Sequence, residues 1–436
     1  MEFTVSIDIK GKPVAVGSIS GESSADARFT YAADYLHATE AVPISLSLPL
    51  QSEPFSAEQT KCFFDGLLPE GSTRRAVASN LHLDENDYVQ ILYQLGRECI
   101  GALRVYRKGE TPQASYDKLT REQVRELARE GAAESAAVVI ETRLSLAGAT
   151  GKVGLYRDPK TGEWYLPHGT APSTHIVKQS HVRLERIVPN ELLCLLTAKQ
   201  CGIDVPETTI IDMGSGKDED ILLVSGRFDR RFSESPAFAN ELPMPLRLHQ
   251  EDFAQALGIV ASRKYESGDR HLAKMFALLR THSSRPIEDQ LKLWDRIAFN
   301  YLIGNTDGHL KNYSLLYSED LKTVRLAPAY DVINTIGYKG MTHEMSFAIG
   351  NATQIEDVTR DSFRMAAKEA GLGERMALNR LNEMIKRFRP ALESAAEALI
   401  HQGVKGIEEL KATILDAGSE RYLSTAPTHQ KEPEER

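Results

Sequence analysis

The stretch GNTDGHLKN, residues 304–312, decides the fold of this chain, because it places two oxygen-bearing side chains at a characteristic spacing. Asp307 is followed five positions later by Asn312, with Lys311 between them. A carboxylate can orient a hydroxyl group and accept its proton, and an amide oxygen can bind a hard cation such as Mg²⁺. Lys311 stands where it could neutralise charge on a transferring phosphoryl group. The stretch therefore predicts a catalytic base, Asp307, and a metal ligand, Asn312.

The same Asp–Asn spacing occurs in the catalytic loop of protein kinases, which reads H-R-D-x-x-x-x-N. The other interpretation is a turn that caps the preceding helix. Residues 305–308 read NTDG, and each of these residue types is common in turns or caps. The loop by itself leaves both interpretations open.

A second motif favours the kinase interpretation. Asp331 lies in APAYDVI, residues 327–333, after a predicted hairpin formed by residues 313–317 and 323–326. Kinases place a metal-binding Asp after such a hairpin, where its carboxylate joins Mg²⁺ to the nucleotide phosphates. A Tyr-Asp turn at the start of a surface loop is the ordinary alternative. The combination of loop, hairpin and Asp is rarer than any of its parts.

A glycine-rich stretch, SLAGATGK at residues 145–152, lies between two strand-like segments. Backbone N–H groups of such turns bind anions, so the stretch predicts a phosphate-binding turn. It is not a Walker A loop, because the position five before Gly151 is Leu146 instead of Gly. A short connection between strands explains this stretch equally well when it is considered alone.

Lys178 ends a strand-like run, THIVK, and Glu191 begins the next predicted helix. In kinases a strand lysine contacts the α- and β-phosphates and is oriented by a helix glutamate. A solvent-facing lysine is the simpler alternative. The order of the parts favours the kinase assignment, because the glycine-rich turn, Lys178, Glu191, Asp307, Asn312 and Asp331 follow one another as in kinases.

The predicted fold is α+β, with a protein-kinase-like two-lobed core and an additional N-terminal α/β subdomain. We expect the N-terminal subdomain in residues 1–110 and a connector in residues 111–139. The strand-rich, nucleotide-binding N-lobe follows in residues 140–250 and the helical catalytic C-lobe in residues 251–423. The polar residues 424–436 predict a disordered tail.

Hydrophobic periodicity predicts the elements within these parts. Strands are expected at residues 4–9, 14–18, 44–50, 144–156, 174–178 and 221–228. Helices are expected at residues 58–68, 85–95, 189–202, 252–257, 271–279, 291–303, 359–369 and 376–400, with a charged helical stretch at 118–134.

Composition excludes several other classes of protein. The net charge of −9 argues against nucleic-acid binding over the whole surface. The four cysteines, Cys62, Cys99, Cys194 and Cys201, form no C-x-x-C pair, which predicts a reduced protein without a disulfide framework. The sequence contains neither H-E-x-x-H nor G-x-S-x-G, and it has no apolar run of about 20 residues. Its N-terminal stretch lacks a signal-peptide pattern, so we expect a cytoplasmic protein without membrane contact.

With these motifs in place, the chain resembles the HipA family of bacterial serine/threonine kinases along nearly its whole length. The similar segments lie at residues 44–50, 63–69, 95–102, 145–152, 172–178, 190–202, 227–231, 249–257, 264–266, 306–312 and 330–331. The resemblance implies a toxin that phosphorylates a protein substrate, in studied members an aminoacyl-tRNA synthetase. It also implies a helix-turn-helix antitoxin of the HipB type, which restrains the kinase and carries it to operator DNA.

The resemblance further implies roles for individual residues. Ser145 corresponds to the serine whose autophosphorylation switches the kinase off, Asp307 to the catalytic base, and Asn312 and Asp331 to the Mg²⁺ ligands. The residues expected at ATP are Ala147, Gly148, Ala149, Lys152, Lys178, Gly226, Arg227, Phe228 and His309. Two positions depart from the family pattern. Thr150-Gly151-Lys152 replaces Gln-x-Lys, and Gly226 replaces a frequent Glu, so adenine would rely on the backbone near Gly226.

Two other functions remain open from the sequence. The same catalytic parts would serve a small-molecule kinase. An inactive member of the fold could act as the corepressor partner of a DNA-binding antitoxin, although the intact set of Asp307, Asn312 and Asp331 argues against that.

Overall fold

The computed structural model of the chain describes residues 1–107, 109–110, 113–129, 152–179, 184–214, 217–268 and 270–425. The predictions for Ser145, Ala147, Gly148, Ala149, Thr150 and Gly151 lie outside the described residues, as does most of the predicted tail. The last helix ends at Thr425 and so includes the first two residues of the predicted tail.

The N-terminal subdomain is a four-stranded antiparallel sheet covered by short helices. Strand β1 places Phe3, Val5 and Ile7 in the core, while Ser6 and Asp8 on its other face are buried as well. The sheet has the order β3-β2-β1-β4. Its strands are β1 (Glu2–Ile9), β2 (Lys12–Ser20), β3 (Arg28–Tyr31) and β4 (Leu103–Arg107), and its helices are α1 (Ala33–Leu36), α2 (Ala57–Phe64), α3 (Gly71–Asn80) and α4 (Tyr88–Leu95).

The predicted strand at residues 44–50 is wrong. This segment forms a turn with one isolated bridge, Ser45 to Leu48. Its polar groups bind the C-lobe instead of a neighbouring strand: the Ser45 hydroxyl and the Leu46 N–H donate to the carboxylate of Glu251 at 2.5 and 3.1 Å. The alternation of polar and apolar residues in this segment therefore does not come from pairing with a neighbouring strand. It arises because the polar groups contact the C-lobe.

The N-lobe is a six-stranded antiparallel sheet of order β5-β7-β6-β8-β10-β9. Its strands are β5 (Ala114–Leu119), β6 (Lys152–Arg157), β7 (Trp164–Gly169), β8 (His175–Gln179), β9 (Thr208–Asp212) and β10 (Ile221–Gly226), and its helices are α5 (Arg121–Arg129) and α6 (Ile187–Gln200). The described part of the predicted connector thus belongs to this lobe. Strand β5 pairs with β7, and Val124 of α5 packs with Val153, Val177 and Leu222.

Four very short strands follow the N-lobe sheet and form two small two-stranded sheets. They are β11 (Arg230–Arg231), β12 (Phe238–Ala239), β13 (Leu242–Pro243) and β14 (Leu246–Arg247). Strand β11 pairs with β14, and β12 pairs with β13. Two-residue strands are too short for hydrophobic periodicity to predict.

The C-lobe is mainly helical, as expected. Its helices are α7 (Phe253–Ala256), α8 (His271–His282), α9 (Pro286–Ile303), α10 (Arg360–Glu369), α11 (Glu374–His401) and α12 (Ile407–Thr425). Its strands are β15 (Gln250–Asp252), β16 (Ser314–Tyr317), β17 (Val324–Leu326), β18 (Glu344–Ile349) and β19 (Ala352–Gln354). The predicted hairpin before Asp331 is confirmed, because β16 pairs with β17.

One hydrophobic core joins the N-terminal subdomain, α6 and the C-lobe, whereas the N-lobe sheet has a core of its own. All four cysteines are buried and free. In the part of the chain that the structure describes, no helix is long and apolar enough to cross a membrane.

Glu251 gives a test of the contact between the subdomain and the C-lobe. Burial raises its pKa from 4.5 to about 7, although hydrogen bonds from Ser45, Tyr317 and Leu46 oppose the shift. The folded state therefore holds the proton more tightly than the unfolded state. This contribution to stability is present below pH 4.5 and is lost as the pH rises through about 7.

We expect Glu251→Gln, which does not titrate, to gain stability relative to the wild type between pH 5 and pH 8, by on the order of 2 kcal/mol. Thermal unfolding across this pH range measures the difference. Glu397→Gln, at an exposed position of α11, is the matched control. A Glu251→Gln difference that does not change with pH would contradict the prediction.

Candidate active site

The loop after α9 holds Asp307 and Asn312 at one end of a cavity. Helix α9 is capped at its C-terminal end by Gly304, whose φ of 76° lies in the left-handed region that favours glycine. The Asp307 N–H donates to the Asn305 side chain at 3.0 Å, and the Asn312 amide nitrogen donates to the Asp307 carbonyl at 2.8 Å. Because the nitrogen of the Asn312 amide makes this bond, its oxygen is the atom that can bind a cation.

Asp331 enters the cavity in an unusual backbone conformation. Its φ is 52°, in the left-handed region that non-glycine residues rarely adopt, and such strain concentrates at functional sites. The preceding Tyr330 is fixed on both sides: its hydroxyl donates to the Lys311 carbonyl at 2.8 Å, and its ring stacks on Phe228 with centroids 5.8 Å apart. These contacts hold Asp331 between the two lobes.

The predicted pair of Lys178 and Glu191 is confirmed, and it includes Asp331 as well. The Lys178 ammonium lies 2.8 Å from the Glu191 carboxylate and also contacts Asp331. Burial opposes both charges of the Lys178–Asp331 pair. Their attraction outweighs burial, so the pKa of Lys178 is raised and that of Asp331 is lowered.

Helix α6, which carries Glu191, is tied to the segment after Asp331. The Asn190 side chain donates to the Asn334 carbonyl at 2.9 Å and accepts from the Asn334 N–H at 3.1 Å. This reciprocal pair fixes the distance between the helix and the Asp331 segment. The position of Glu191 relative to Asp331 is therefore set by backbone contacts as well as by the shared lysine.

Lys152 lies beside Lys178, because the two residues are paired in register on β6 and β8. Side chains opposite each other on neighbouring strands share one face of the sheet. Burial and the neighbouring Lys178 lower the pKa of Lys152, whereas Asp331 opposes that shift. The structure thus brings two lysines to the cavity, as the sequence predicts.

The sequence predicts that Lys311 neutralises a transferring phosphoryl group, and this role stays a prediction. Lys311 lines the cavity, and its ammonium is held by protein acceptors. It donates to the Gly66 carbonyl at 2.9 Å and to Asp252 at 3.0 Å, and it lies 3.3 Å from Glu70. Lys311 therefore ties the catalytic loop to the N-terminal subdomain.

Residues 226–228, which link the lobes, all line the cavity. The Arg227 guanidinium makes buried ion pairs. It pairs with Asp229 at 2.7 Å and with Glu98 of the N-terminal subdomain at 3.2 Å. The Arg227 side chain is thus a structural element of the hinge.

Glu98 is the centre of a buried cluster of charges around this hinge. It contacts Arg227 at 3.2 Å, Arg230 at 2.8 Å and Arg247 at 2.7 Å. Burial opposes ionisation of Glu98, but the three guanidinium groups outweigh burial and lower its pKa to about 2. These buried ion pairs connect Glu98 of the N-terminal subdomain to the segment that links the lobes and to strands β11 and β14.

The cavity has a volume of about 270 Å³ and lies between the lobes. It brings together the following predicted residues: Lys152, Lys178, Gly226, Arg227, Phe228, Asp307, His309, Lys311, Asn312 and Asp331. Burial and nearby Lys264 lower the pKa of His309 to about 3, so this ring is neutral at pH 7. Its Nδ1 atom is buried and makes no hydrogen bond with the described residues.

Three further residues at the cavity were missed by the motif search. Tyr265 donates to Oδ1 of Asp307 at 2.7 Å, and Lys264 pairs with Glu70 at 2.7 Å. Lys264 and Tyr265 belong to the KYE segment, residues 264–266, which is similar to the HipA family. That similarity is the sequence signal that could have identified them as site residues. Glu70 belongs to the N-terminal subdomain, and the residues around it in sequence do not indicate that it pairs with Lys264 at the cavity.

A strand-rich lobe, a helical lobe and an Asp–Asn–Asp set that faces a strand lysine define a protein-kinase-like fold. The chain belongs to the HipA family. The HipA N-terminal domain matches residues 7–106, and the HipA-like C-terminal domain matches residues 144–392.

Known proteins are similar to this chain over nearly its whole length. The relative named "Putative kinase Y4mE" from Sinorhizobium fredii is 31% identical over 94% of this chain and 92% of its own length. The serine/threonine-protein kinase toxin HipA of Shewanella oneidensis is 25% identical, with 89% of each chain covered. HipA in a solved complex with HipB and operator DNA from Shewanella oneidensis shares the fold. The TM-score is 0.78 at 22% identity, with 96% of this chain and 97% of that chain covered.

We expect Glu98→Gln to destabilise the protein by about 3–5 kcal/mol, because three buried guanidinium groups would lose their common carboxylate. Thermal or denaturant unfolding measures the loss. Glu110→Gln is the control, since Glu110 pairs with Arg97 at 3.1 Å but is partly exposed, and it should cost no more than about 1 kcal/mol. Equal losses in the two variants would contradict the role of the cluster.

Proposed function

We propose that this chain is an ATP- and Mg²⁺-dependent protein serine/threonine kinase that acts as a HipA-like toxin. One observation carries the proposal: Lys178 contacts both Glu191 and Asp331, in the cavity that also holds Asp307 and Asn312. This is the arrangement that phosphoryl transfer from a nucleotide requires.

The donors in the cavity fit a magnesium nucleotide. Asn312 and Asp331 offer oxygen atoms, the ligands that Mg²⁺ prefers. Among the described residues, no group of three or more His, Cys, Asp or Glu side chains could hold a metal ion by itself. That fits Mg²⁺, which is commonly bound by one or two protein side chains together with substrate phosphates. When bound, the metal would neutralise charge on the phosphates, while Lys152 and Lys178 contact their oxygens.

Asp307 is placed to act on the acceptor. In the proposed reaction its carboxylate orients the acceptor hydroxyl and accepts the proton. The hydroxyl oxygen forms a bond to the γ-phosphorus of ATP, and the bond from that phosphorus to the β–γ bridging oxygen breaks, which releases ADP. Burial raises the pKa of Asp307, and the hydrogen bond from Tyr265 opposes the shift. A carboxylate in such surroundings is a suitable base.

Family membership and the relatives support the biological part of the proposal. The named toxin from Shewanella oneidensis covers the same regions, and the fold neighbour is a complex with HipB and operator DNA. We therefore propose a HipB-like helix-turn-helix antitoxin as partner, and contact with operator DNA through that antitoxin. The protein substrate would be a translation component such as an aminoacyl-tRNA synthetase. Autophosphorylation at Ser145 would inhibit the kinase, because a phosphate there would repel the nucleotide phosphates.

Asp307→Asn should reduce phosphoryl transfer at least about 10²-fold and leave the melting temperature unchanged, because it removes the base and keeps the side-chain shape. Labelled ATP with Mg²⁺ and bacterial cell extract, followed by mass spectrometry, identifies the acceptor. Asp361→Asn, in an exposed ion pair on α10, is the control. Full activity of Asp307→Asn would exclude Asp307 as the base, and transfer only to small molecules would exclude a protein kinase.

Mg²⁺-ATP should raise the melting temperature, since a ligand that binds the folded state at 100 times its Kd adds about 2.7 kcal/mol to stability. Lys178→Met should lose most of this increase, because the phosphates lose a cationic partner. Lys386→Met, at an exposed position of α11, should keep it. No increase in the wild-type protein would favour an inactive partner of the antitoxin.

A further inference from the structure

The carboxyl group of Asp307 is held by one side chain that the proposed reaction has not used. The Tyr265 hydroxyl donates to Oδ1 of Asp307 at 2.7 Å. Other hydrogen bonds of Asp307 involve its backbone, with Asn305 at the N–H and Asn312 at the carbonyl. Those bonds fix the main chain but leave rotation of the carboxyl group free. Among the described residues, Tyr265 is the one whose side chain hydrogen-bonds this carboxylate.

The ring of Tyr265 is itself held in place. The Lys264 ammonium lies 5.4 Å from the ring centroid, in a cation–π contact, and the His309 ring meets it edge-on at 5.2 Å. Lys264 is in turn anchored by Glu70 of the N-terminal subdomain at 2.7 Å. Two sides of the ring are therefore in contact with C-lobe side chains, and one of these, Lys264, is anchored to the N-terminal subdomain.

The backbone around Tyr265 is tied to the C-lobe as well. The Glu266 N–H donates to the Ser346 carbonyl at 2.8 Å, and the Lys264 carbonyl accepts from the Leu310 N–H in the catalytic loop at 3.4 Å. The hydroxyl of Tyr265 thus has a set position relative to the loop that carries Asp307. A donor fixed in this way can select one orientation of a carboxyl group.

We propose that Tyr265 is a positioning residue for the base: it holds Oδ1 of Asp307 so that Oδ2 faces the acceptor hydroxyl. The inference rests on the proposed kinase function. A carboxylate has two oxygens, so the bond from Tyr265 leaves the second oxygen for the acceptor. Since orientation of a catalytic group contributes to the rate of the chemical step, the effect should fall on kcat.

The test compares Tyr265→Phe with the wild type in the Mg²⁺-ATP assay, using the acceptor protein identified from extract. We expect kcat to fall about ten-fold, with the KM for ATP and the melting temperature unchanged, because the lost hydrogen bond acts on the transition state. Tyr35→Phe is the matched control: its hydroxyl also makes a 2.7 Å bond, to the Val42 carbonyl in the N-terminal subdomain, and its kcat should not change.

Three results would overturn the inference. An unchanged kcat in Tyr265→Phe would show that the hydroxyl does not position the base. A rise in kcat/KM for the acceptor would show that the Tyr265 hydroxyl competes with the acceptor for Asp307. A fall in kcat that only follows a loss of thermal stability would assign Tyr265 a structural role. Failure of the proposed function looks different, because the wild type and both tyrosine variants would then transfer no phosphate.

Discussion

The ammonium of Lys178, shared between Glu191 and Asp331, is the interaction on which the arrangement of the two lobes depends. It joins a strand of the N-lobe sheet, a helix packed on the C-lobe core and the segment after the β16–β17 hairpin. Lys152 lies alongside, so two lysines and two carboxylates meet at this point. In the proposed kinase the two lysines would contact the nucleotide phosphates, and the carboxylate of Asp331 would bind the magnesium ion.

The N-terminal subdomain is part of the same catalytic unit. Glu98 carries the charge cluster at the hinge, and Glu70 pairs with Lys264 and approaches Lys311 at the catalytic loop. Ser45 and Leu46 bind Glu251 of the C-lobe. Each contact is buried or partly buried, so separating the subdomain from the lobes would leave charges without partners in the interior. Such uncompensated charges are expensive, which explains why the subdomain and the lobes form one structure.

Local motifs made much of the site predictable from sequence. The spacing of Asp307, Asn312 and Asp331 and the order of Lys178 and Glu191 are properties of short segments, and the structure brings these residues together. The ion pairs of long side chains could not be predicted from short segments. Lys311 and Arg227 line the cavity, and their charged groups pair with carboxylates that are distant in sequence, here Asp252 and Glu98. Glu70 and Tyr265 were missed because their partners lie far away in sequence. The turn at residues 44–50 was wrongly predicted as a strand because its apolar and polar residues alternate in sequence, although Leu50 is exposed and Ser45 is buried against Glu251.

Gly226, which replaces a Glu that is frequent in the family, lies in the segment that links the lobes and affects how the proposed nucleotide would be recognised. The sequence predicts that adenine relies on backbone contacts near Gly226, but the Gly226 N–H already donates to the Glu207 carbonyl at 2.8 Å, and the Arg227 N–H to the Thr174 carbonyl at 2.9 Å. These two N–H groups are therefore already engaged within the protein. The cavity is also lined by the apolar residues Ile176, Leu195, Phe228 and Ile333. In the proposed kinase, apolar and stacking contacts from these residues would contribute to holding the adenine ring, and the lysines and metal ligands would bind the phosphates and their metal.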